Sequence, residues 1–422
     1  MSQTKKQWGA IIVMIALFAM IAFVTNLCTP MATIIKNQGE ISNVLAQIGN
    51  YGNFVAYLVM GIPAGMLIAK FGYKKTALIG LAVGAIGILI QWYSGQLDAQ
   101  ANLGLVFTVY LIGAFIAGLC MCILNCVVNP MLNLLGGGGN EGNQLIQTGG
   151  VFNSLAAVAC YILMGALIAD ATKAKIADAT PALMIALAIF VVAFIVILFT
   201  KIEEPKQAPV EVSLIGGALK HRHFALGALA IFLYMGIEVG VPNFVQQYLV
   251  ADGIPASTVG LLVAVYWFMM LIGRFVGAGI GSKVSARAMI TTVSTATIVL
   301  VLFGMFAPTD ILVPFPGVDW GKMEFITQDV PVGIFSFLLV GLCTSVMWGA
   351  IFNMAVEGLG KYTAVASGIF MTMVFGCAVM MAIQGYVADL TNYITSFWVV
   401  VFCAAYLLFY ALIGSRVTQR ED

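Results

Sequence analysis

A single carboxylate, Glu238, stands near the middle of the apolar stretch LGALAIFLYMGIEVGVPNFVQQYL, residues 226–249. The other acids of the chain fall in polar connections or at the ends of apolar runs. A charge held deep in an apolar segment is expensive, and it persists where it faces a cavity or a partner and has work to do. Two chemistries suit it. The carboxyl takes up and releases a proton during a cycle, or it stays ionised and accepts hydrogen bonds from substrate hydroxyls. A structural carboxyl bonded to a neighbouring helix is the third reading.

Around this acid the apolar runs carry amides: Asn26, Asn125, Asn129, Asn153, Asn243, Gln246, Gln247, Asn353 and Gln384. An amide offers a donor and an acceptor at once, which suits a neutral polar ligand in a low-dielectric cavity where each unpaired polar group is costly. The same amides could instead bond neighbouring helices to one another. Trp267 and Trp348, with Tyr234 and Tyr266, offer flat faces and a polar edge to a sugar ring, or simple packing surface. Asn129-Pro130 places a proline inside a span, which frees a backbone carbonyl and permits a break that can line a cavity. No buried arginine or lysine is legible to neutralise an anionic substrate, so a neutral sugar or polyol fits best. Substrate-binding candidates are therefore Asn26, Asn125, Asn129, Asn153, Glu238, Asn243, Gln246, Trp267, Trp348, Asn353 and Gln384, with Glu238 also the candidate for proton coupling.

These residues need helices to hold them. Hydrophobic residues make up 61% of the 422-residue chain and charged residues 9%, against about 25% charged in ordinary soluble domains. The composition is that of a polytopic membrane protein, and a net charge of +1 points to no nucleic-acid partner. Hydropathy predicts twelve spanning helices, over 9–33, 43–69, 76–93, 103–135, 145–169, 181–200, 224–250, 256–280, 286–307, 331–356, 362–388 and 394–414. The first run is too long for a signal-peptide core and has no convincing small-residue cleavage site, so it reads as a retained helix. All eight cysteines lie in apolar runs as small hydrophobes, which predicts no disulfide framework and no metal site.

Threading the chain with its N-terminus in the cytoplasm leaves only Lys36, Lys173, Lys175 and Lys322 outside, and every other cation inside. That bias predicts both termini in the cytoplasm. The polar segment 201–223, KIEEPKQAPVEVSLIGGALKHRH, reads as a linker between six-helix halves spanning 1–200 and 224–422. His221 and His223 read as interfacial residues beside Arg222 rather than proton carriers. Asn129 with Leu135-Gly136 is echoed by Asn353 with Leu359-Gly360, and Gly61 and Gly65 by Gly273 and Gly277, which suggests an internal repeat with the substrate between the repeats. The glycines and cations of 65–81 and 273–283, Arg274 among them, read as gating and orientation elements at the inner interface. The run Gly136–Gly139 lacks the strand and lysine of a phosphate loop and reads as a flexible connection.

The stretches PAGMLIAKFGYKKTALIGL, Asn129-Pro130 with FNSLAA at 152–157, YMGIEVGVPNFV at 234–245, YWFMMLIGRF at 266–275, GLGKYTAVASGI at 358–369 and QGYVADL at 384–390 resemble the fucose, glucose and galactose permeases of the major facilitator superfamily. The resemblance runs over nearly the whole chain. It implies a two-bundle, all-α fold working by alternating access, and uptake of a hexose together with protons. The fucose branch has an acid in helix one just after an Asn-Leu pair and a glutamate four residues before Asn-Pro. Here Asn26-Leu27 is followed by Cys28 and Thr29, and Asn125 takes the second position. Glu238 matches the glutamate of the helix-seven motif in the glucose and galactose branch.

The expected protein is thus a plasma-membrane secondary transporter for a neutral hexose, proton-coupled, with no cofactor and no enzymatic activity. Its partners are the sugar, the proton and the lipid bilayer. An uncoupled facilitator or exporter of a sugar or amino sugar, and a non-transporting sugar receptor, are the alternatives.

Overall fold

A computed structural model describes residues 7–39, 41–135, 139–168, 173–202, 204, 212–280, 284–319, 322 and 324–418. Part of the 201–223 linker and residues 136–138 of the glycine run lie outside these. Among the described residues, eleven helical segments are long and apolar enough to cross a membrane. One of them, Ile48–Ser94, has 47 residues, which at 1.5 Å each is about 70 Å, roughly twice a bilayer's apolar thickness. It is two spans meeting at Gly72, whose φ of 80° breaks the helix. The fold therefore has the twelve helices that hydropathy predicts.

They are α1 (Trp8–Asn26 continuing as Cys28–Gly39), α2 and α3 (48–71 and 73–94), α4 (Ala99–Leu135), α5 (Gly139–Leu167) and α6 (Thr180–Phe199). The last six are α7 (Arg222–Glu238 continuing as Gly240–Ala251), α8 (Ala256–Ile280), α9 (Ala286–Phe306), α10 (Val332–Val356), α11 (Thr363–Met373 continuing as Gly376–Leu390) and α12 (Tyr393–Gly414). The first six and last six meet along two lateral seams, α5 against α8 and α2 against α11.

At Gly72 only a residue without Cβ serves twice. The positive φ is strained for any side chain, and a Cβ there would lie 2.5 Å from a carboxylate oxygen of Glu204. That carboxylate accepts from the backbone N–H groups of Tyr73 and Lys74, capping the start of α3. Lys74 Nζ in turn donates to the carbonyls of Leu198 and Thr200 at the end of α6, 3.0 and 2.7 Å away. Part of the glycine- and lysine-rich stretch thus fastens α2, α3 and α6 together.

Three departures from the expected pattern matter for the site. First, α4 runs unbroken through Pro130, so the break that Asn129-Pro130 permits is not taken; one proline can be absorbed in a helix packed on its neighbours. The ladder is interrupted instead in α1 at Leu27, in α7 at Val239 and in α11 at Val374-Phe375. Second, His221 and His223 are buried, not interfacial: His223 Nε2 lies 2.9 Å from the Glu357 carbonyl, and the His221 ring packs on Tyr362. Third, α9 and α10 are joined by an antiparallel hairpin, β1 (Leu312–Asp319) and β2 (Glu324–Pro331), that the hydropathy reading did not anticipate. Pro314 and Pro316 sit two apart, so their missing N–H groups fall on one edge of β1 and spare the ladder.

Candidate substrate and coupling site

The breaks in α1 and α7 have one cause. Pro30 lies four residues after Asn26, and Pro242 four after Glu238. Each proline lacks the N–H that would have bonded the carbonyl one turn earlier. The carbonyl freed at Glu238 is taken by the Tyr266 hydroxyl of α8 at 3.0 Å, while Thr344 of α10 stands 3.1 Å from the same hydroxyl. The polar centre of the last six helices is thereby tied into α7, α8 and α10 at once. The matching Asn26/Pro30 and Glu238/Pro242 pairs, each in the first helix of its half, are a repeat signal that the glycine and Asn-Leu-Gly comparisons overlooked. The glycine echo itself divides: Gly61 packs across to Thr372 of α11, whereas Gly273 packs on Leu342 and Ser345 of α10, within the last six helices.

Glu238 is half-buried, at the end of the first piece of α7. Its carboxyl interacts electrostatically with the Tyr234 hydroxyl, whose hydrogen bond runs to the Thr344 carbonyl at 3.4 Å, and with Arg274 of α8, with no contact ion pair between acid and cation among the described residues. Arg274 corrects the reading that no cation reaches the interior and that this residue belongs to the inner interface. Its long stem carries the guanidinium inward, where it donates to the Gly150 carbonyl and, at 2.9 Å, to the Ser154 hydroxyl of α5.

Most of the remaining candidates fall into two groups. Asn26, Asn125, Asn129 and Asn153 each donate to backbone on their own or a neighbouring helix: Asn26 to Ala22 (2.8 Å), Asn125 to Met121 (3.1 Å), Asn129 to Asn125 (3.3 Å) and Asn153 to Phe18 (3.0 Å). Asn125 also meets the Tyr57 hydroxyl at 2.9 Å. Their carbonyl oxygens accept nothing among the described residues, which suits them to accept from ligand hydroxyls.

Asn243 and Gln246, in contrast, are buried in a seam between the halves. Asn243 exchanges bonds with Gln47 (3.0 and 3.1 Å), reaches Thr29 at 3.4 Å and accepts from Gln247 at 2.6 Å; Gln246 donates to Thr33 at 3.4 Å. Gln384, also buried, packs against Gly240 just beyond the α7 break and donates to Ser396 at 3.5 Å. Trp348 lies beside Tyr234 with ring centres 6.2 Å apart, and Trp267 stacks on Tyr161 at 6.4 Å across the α5/α8 seam. Asn353 is exposed and bonds to none of these groups among the described residues.

The halves are closed on the side away from the termini. There Lys36 of α1 donates to Asn43 Oδ1 and to the Tyr393 hydroxyl of α12, while Asp389 of α11 accepts from the backbone N–H groups of Asn43 and Val44 at 2.7 and 3.1 Å. A cleft beside Tyr161 and Gln246 holds only about 20 Å³, enough for a water and far short of a hexose. Exposure rises toward the termini, from buried Asn243 through half-buried Glu238, Asn125 and Asn129 to exposed Asn353.

Residues 10–379 match the Major Facilitator Superfamily. The chain belongs to that superfamily. It is 29% identical over 429 residues to a glucose/galactose transporter of Brucella abortus (strain 2308), covering 98% of this chain and 96% of the relative. It is 22% identical over 434 residues to the L-fucose-proton symporter of Escherichia coli (strain K12), covering 95% and 92%. Among solved structures, the transporter FucP in its outward conformation superposes with a TM-score of 0.69 over 96% of this chain and 99% of that one, at 20% identity. The chain is accordingly a multi-pass membrane protein of a transporter superfamily, not an enzyme.

Gln47 and Tyr161 are the seam residues missed from sequence, while Tyr266 was read there as a ring face and not as the donor to the Glu238 carbonyl, and Thr29 and Arg274 were given no place in the site. The Pro242 spacing marks a carbonyl in need of a donor but does not say which helix supplies it.

Proposed function

We propose that this chain is a secondary transporter of the plasma membrane that takes up a neutral hexose by alternating access, coupled to protons through Glu238. The observation that carries the reading is a half-buried carboxylate at a helix break, without a contact counter-ion, in a chain similar from end to end to a glucose/galactose transporter. The amide oxygens of Asn26, Asn125, Asn129 and Asn153 accept sugar hydroxyls, and Trp348 and Trp267 flank the ring. The two six-helix bundles, 1–200 and 224–422, rock about the α5/α8 and α2/α11 seams, with segment 201–223 as the cytoplasmic linker and both termini in the cytoplasm. Proton and sugar must favour the same state of the pair for their gradients to couple.

The test is uptake of labelled D-glucose, D-galactose and L-fucose into proteoliposomes, with and without an inward proton gradient, for wild type and Glu238→Gln. Gradient-driven accumulation by the wild type, lost in the variant while counterflow persists, is the expected result. Gradient-independent equilibration in both would make the protein a facilitator, a reading favoured by the neutral residues at Cys28, Thr29 and Asn125.

A further inference from the structure

We infer that Arg274 is a positioning residue that carries the charge state of Glu238 to the contact between α8 and α5, and so from one half of the molecule to the other. The inference rests on the reading of Glu238 as the coupling acid and names the element that acid works on.

The geometry is specific. Arg274 belongs to α8 of the last six helices, yet its hydrogen bonds go to Gly150 and Ser154 of α5 in the first six. Those two residues lie one turn apart on α5, and the Arg274 side chain packs directly against the backbone at Gly150. The α5/α8 seam is the more extensive of the two lateral seams. A guanidinium placed there with an uncompensated charge would be costly, and Glu238 is the acid that interacts with it. The other titratable groups that interact with Glu238 are Tyr234 on its own helix, Tyr266 on α8 and Cys377 on α11. None of these carries a positive charge, so Arg274 alone among them answers to the sign of Glu238.

The consequence is a tug between two anchors. With Glu238 ionised, its field draws the guanidinium and loosens the hold on α5. With Glu238 protonated, the Gly150 carbonyl and Ser154 hydroxyl are the remaining acceptors, and α8 is pinned to α5. A half-buried carboxyl in one half thereby changes the grip between the halves without touching the other half itself.

The experiment needs no known substrate. Purified full-length protein is treated with dicyclohexylcarbodiimide across a pH series, and labelling of Glu238, which requires the protonated carboxyl, is followed by peptide mass spectrometry. Arg274→Gln is expected to move the labelling midpoint upward by about one pH unit, since a nearby cation is removed. Ser154→Ala is expected to move it downward, because a guanidinium with one anchor fewer on α5 shifts toward the carboxylate. Arg274→Lys keeps the charge and stays nearer the wild-type midpoint.

An unmoved midpoint in Arg274→Gln, a downward shift absent in Ser154→Ala, or a wild-type labelling curve flat with pH would each overturn the inference. If Arg274→Gln does not fold, the Ser154→Ala shift decides. Equal gradient-driven accumulation by wild type and Glu238→Gln would remove the transport role of Glu238 while leaving the labelling shifts to judge the Arg274 link by themselves.

Discussion

Glu238 occupies a place where its backbone and its side chain do different work. The backbone carbonyl is orphaned by Pro242 and rescued by Tyr266, while the carboxyl is left without a contact counter-ion and can meet a ligand. The rescue is testable by itself. Removing the Tyr266 hydroxyl strands a buried carbonyl, which costs about 1–3 kcal/mol, so Tyr266→Phe should lower the melting temperature of the purified protein. Pro242→Ala restores an N–H one turn later, and the double variant Tyr266→Phe/Pro242→Ala should recover most of the loss. Additive destabilisation in that double variant would mean that Tyr266 matters through Thr344 and not through the Glu238 carbonyl. This level of detail was hidden from sequence because a proline shows which carbonyl is freed, whereas the donor depends on how α7 and α8 are registered against each other. Arg274 was misread for a related reason: the side bias of Lys and Arg describes where most cations sit, and says nothing of one whose stem leads back into the protein.

At the scale of elements, hydropathy was enough to place every spanning helix, since about 20 apolar residues in a row have few other solutions in a bilayer. It did not locate the breaks. The prominent Asn129-Pro130 pair left α4 continuous, while the less conspicuous Pro30 and Pro242 accompany the interrupted helices. Nor did it suggest the latch on the far side, where Asp389 accepts from two backbone N–H groups at the start of the Asn43–Ala46 turn and Lys36 bridges Asn43 and Tyr393. These bonds join α1 and the turn ahead of α2 to α11 and α12, and charge-assisted bonds are the stronger kind. Asp389→Ala should therefore favour the state open on that side. A cysteine at Thr33, which is buried and touches Gln246 across the seam, would report it: reaction with a maleimide should quicken on the order of tenfold when Asp389→Ala is added, the effect of losing a bond or two of this kind. An unchanged rate would show that the amide seam of Gln47 and Asn243 closes this side without help from the latch.

For the whole molecule, the far side is closed by two layers of bonds between the halves and exposure grows toward the termini, so the polar centre is reached from the terminal side in this conformation. The superposition with an outward conformation of FucP at a TM-score of 0.69 agrees in fold, and a rocking motion of the halves would exchange one opening for the other. This makes a prediction about sidedness that joins topology to conformation. Asn353 is the exposed amide of α10 on the terminal side, and seven of the native cysteines are buried, with only Cys126 partly accessible. In Asn353→Cys, a membrane-impermeant maleimide should react above the wild-type background in inside-out vesicles and not in right-side-out ones if the terminal side is cytoplasmic, as proposed from the positive-inside bias. Adding a transported sugar should slow that reaction if the ligand at Glu238 and Asn125 draws the halves together on the terminal side. Reaction in right-side-out vesicles alone would reverse the orientation of the chain, and with it the direction in which the opening faces.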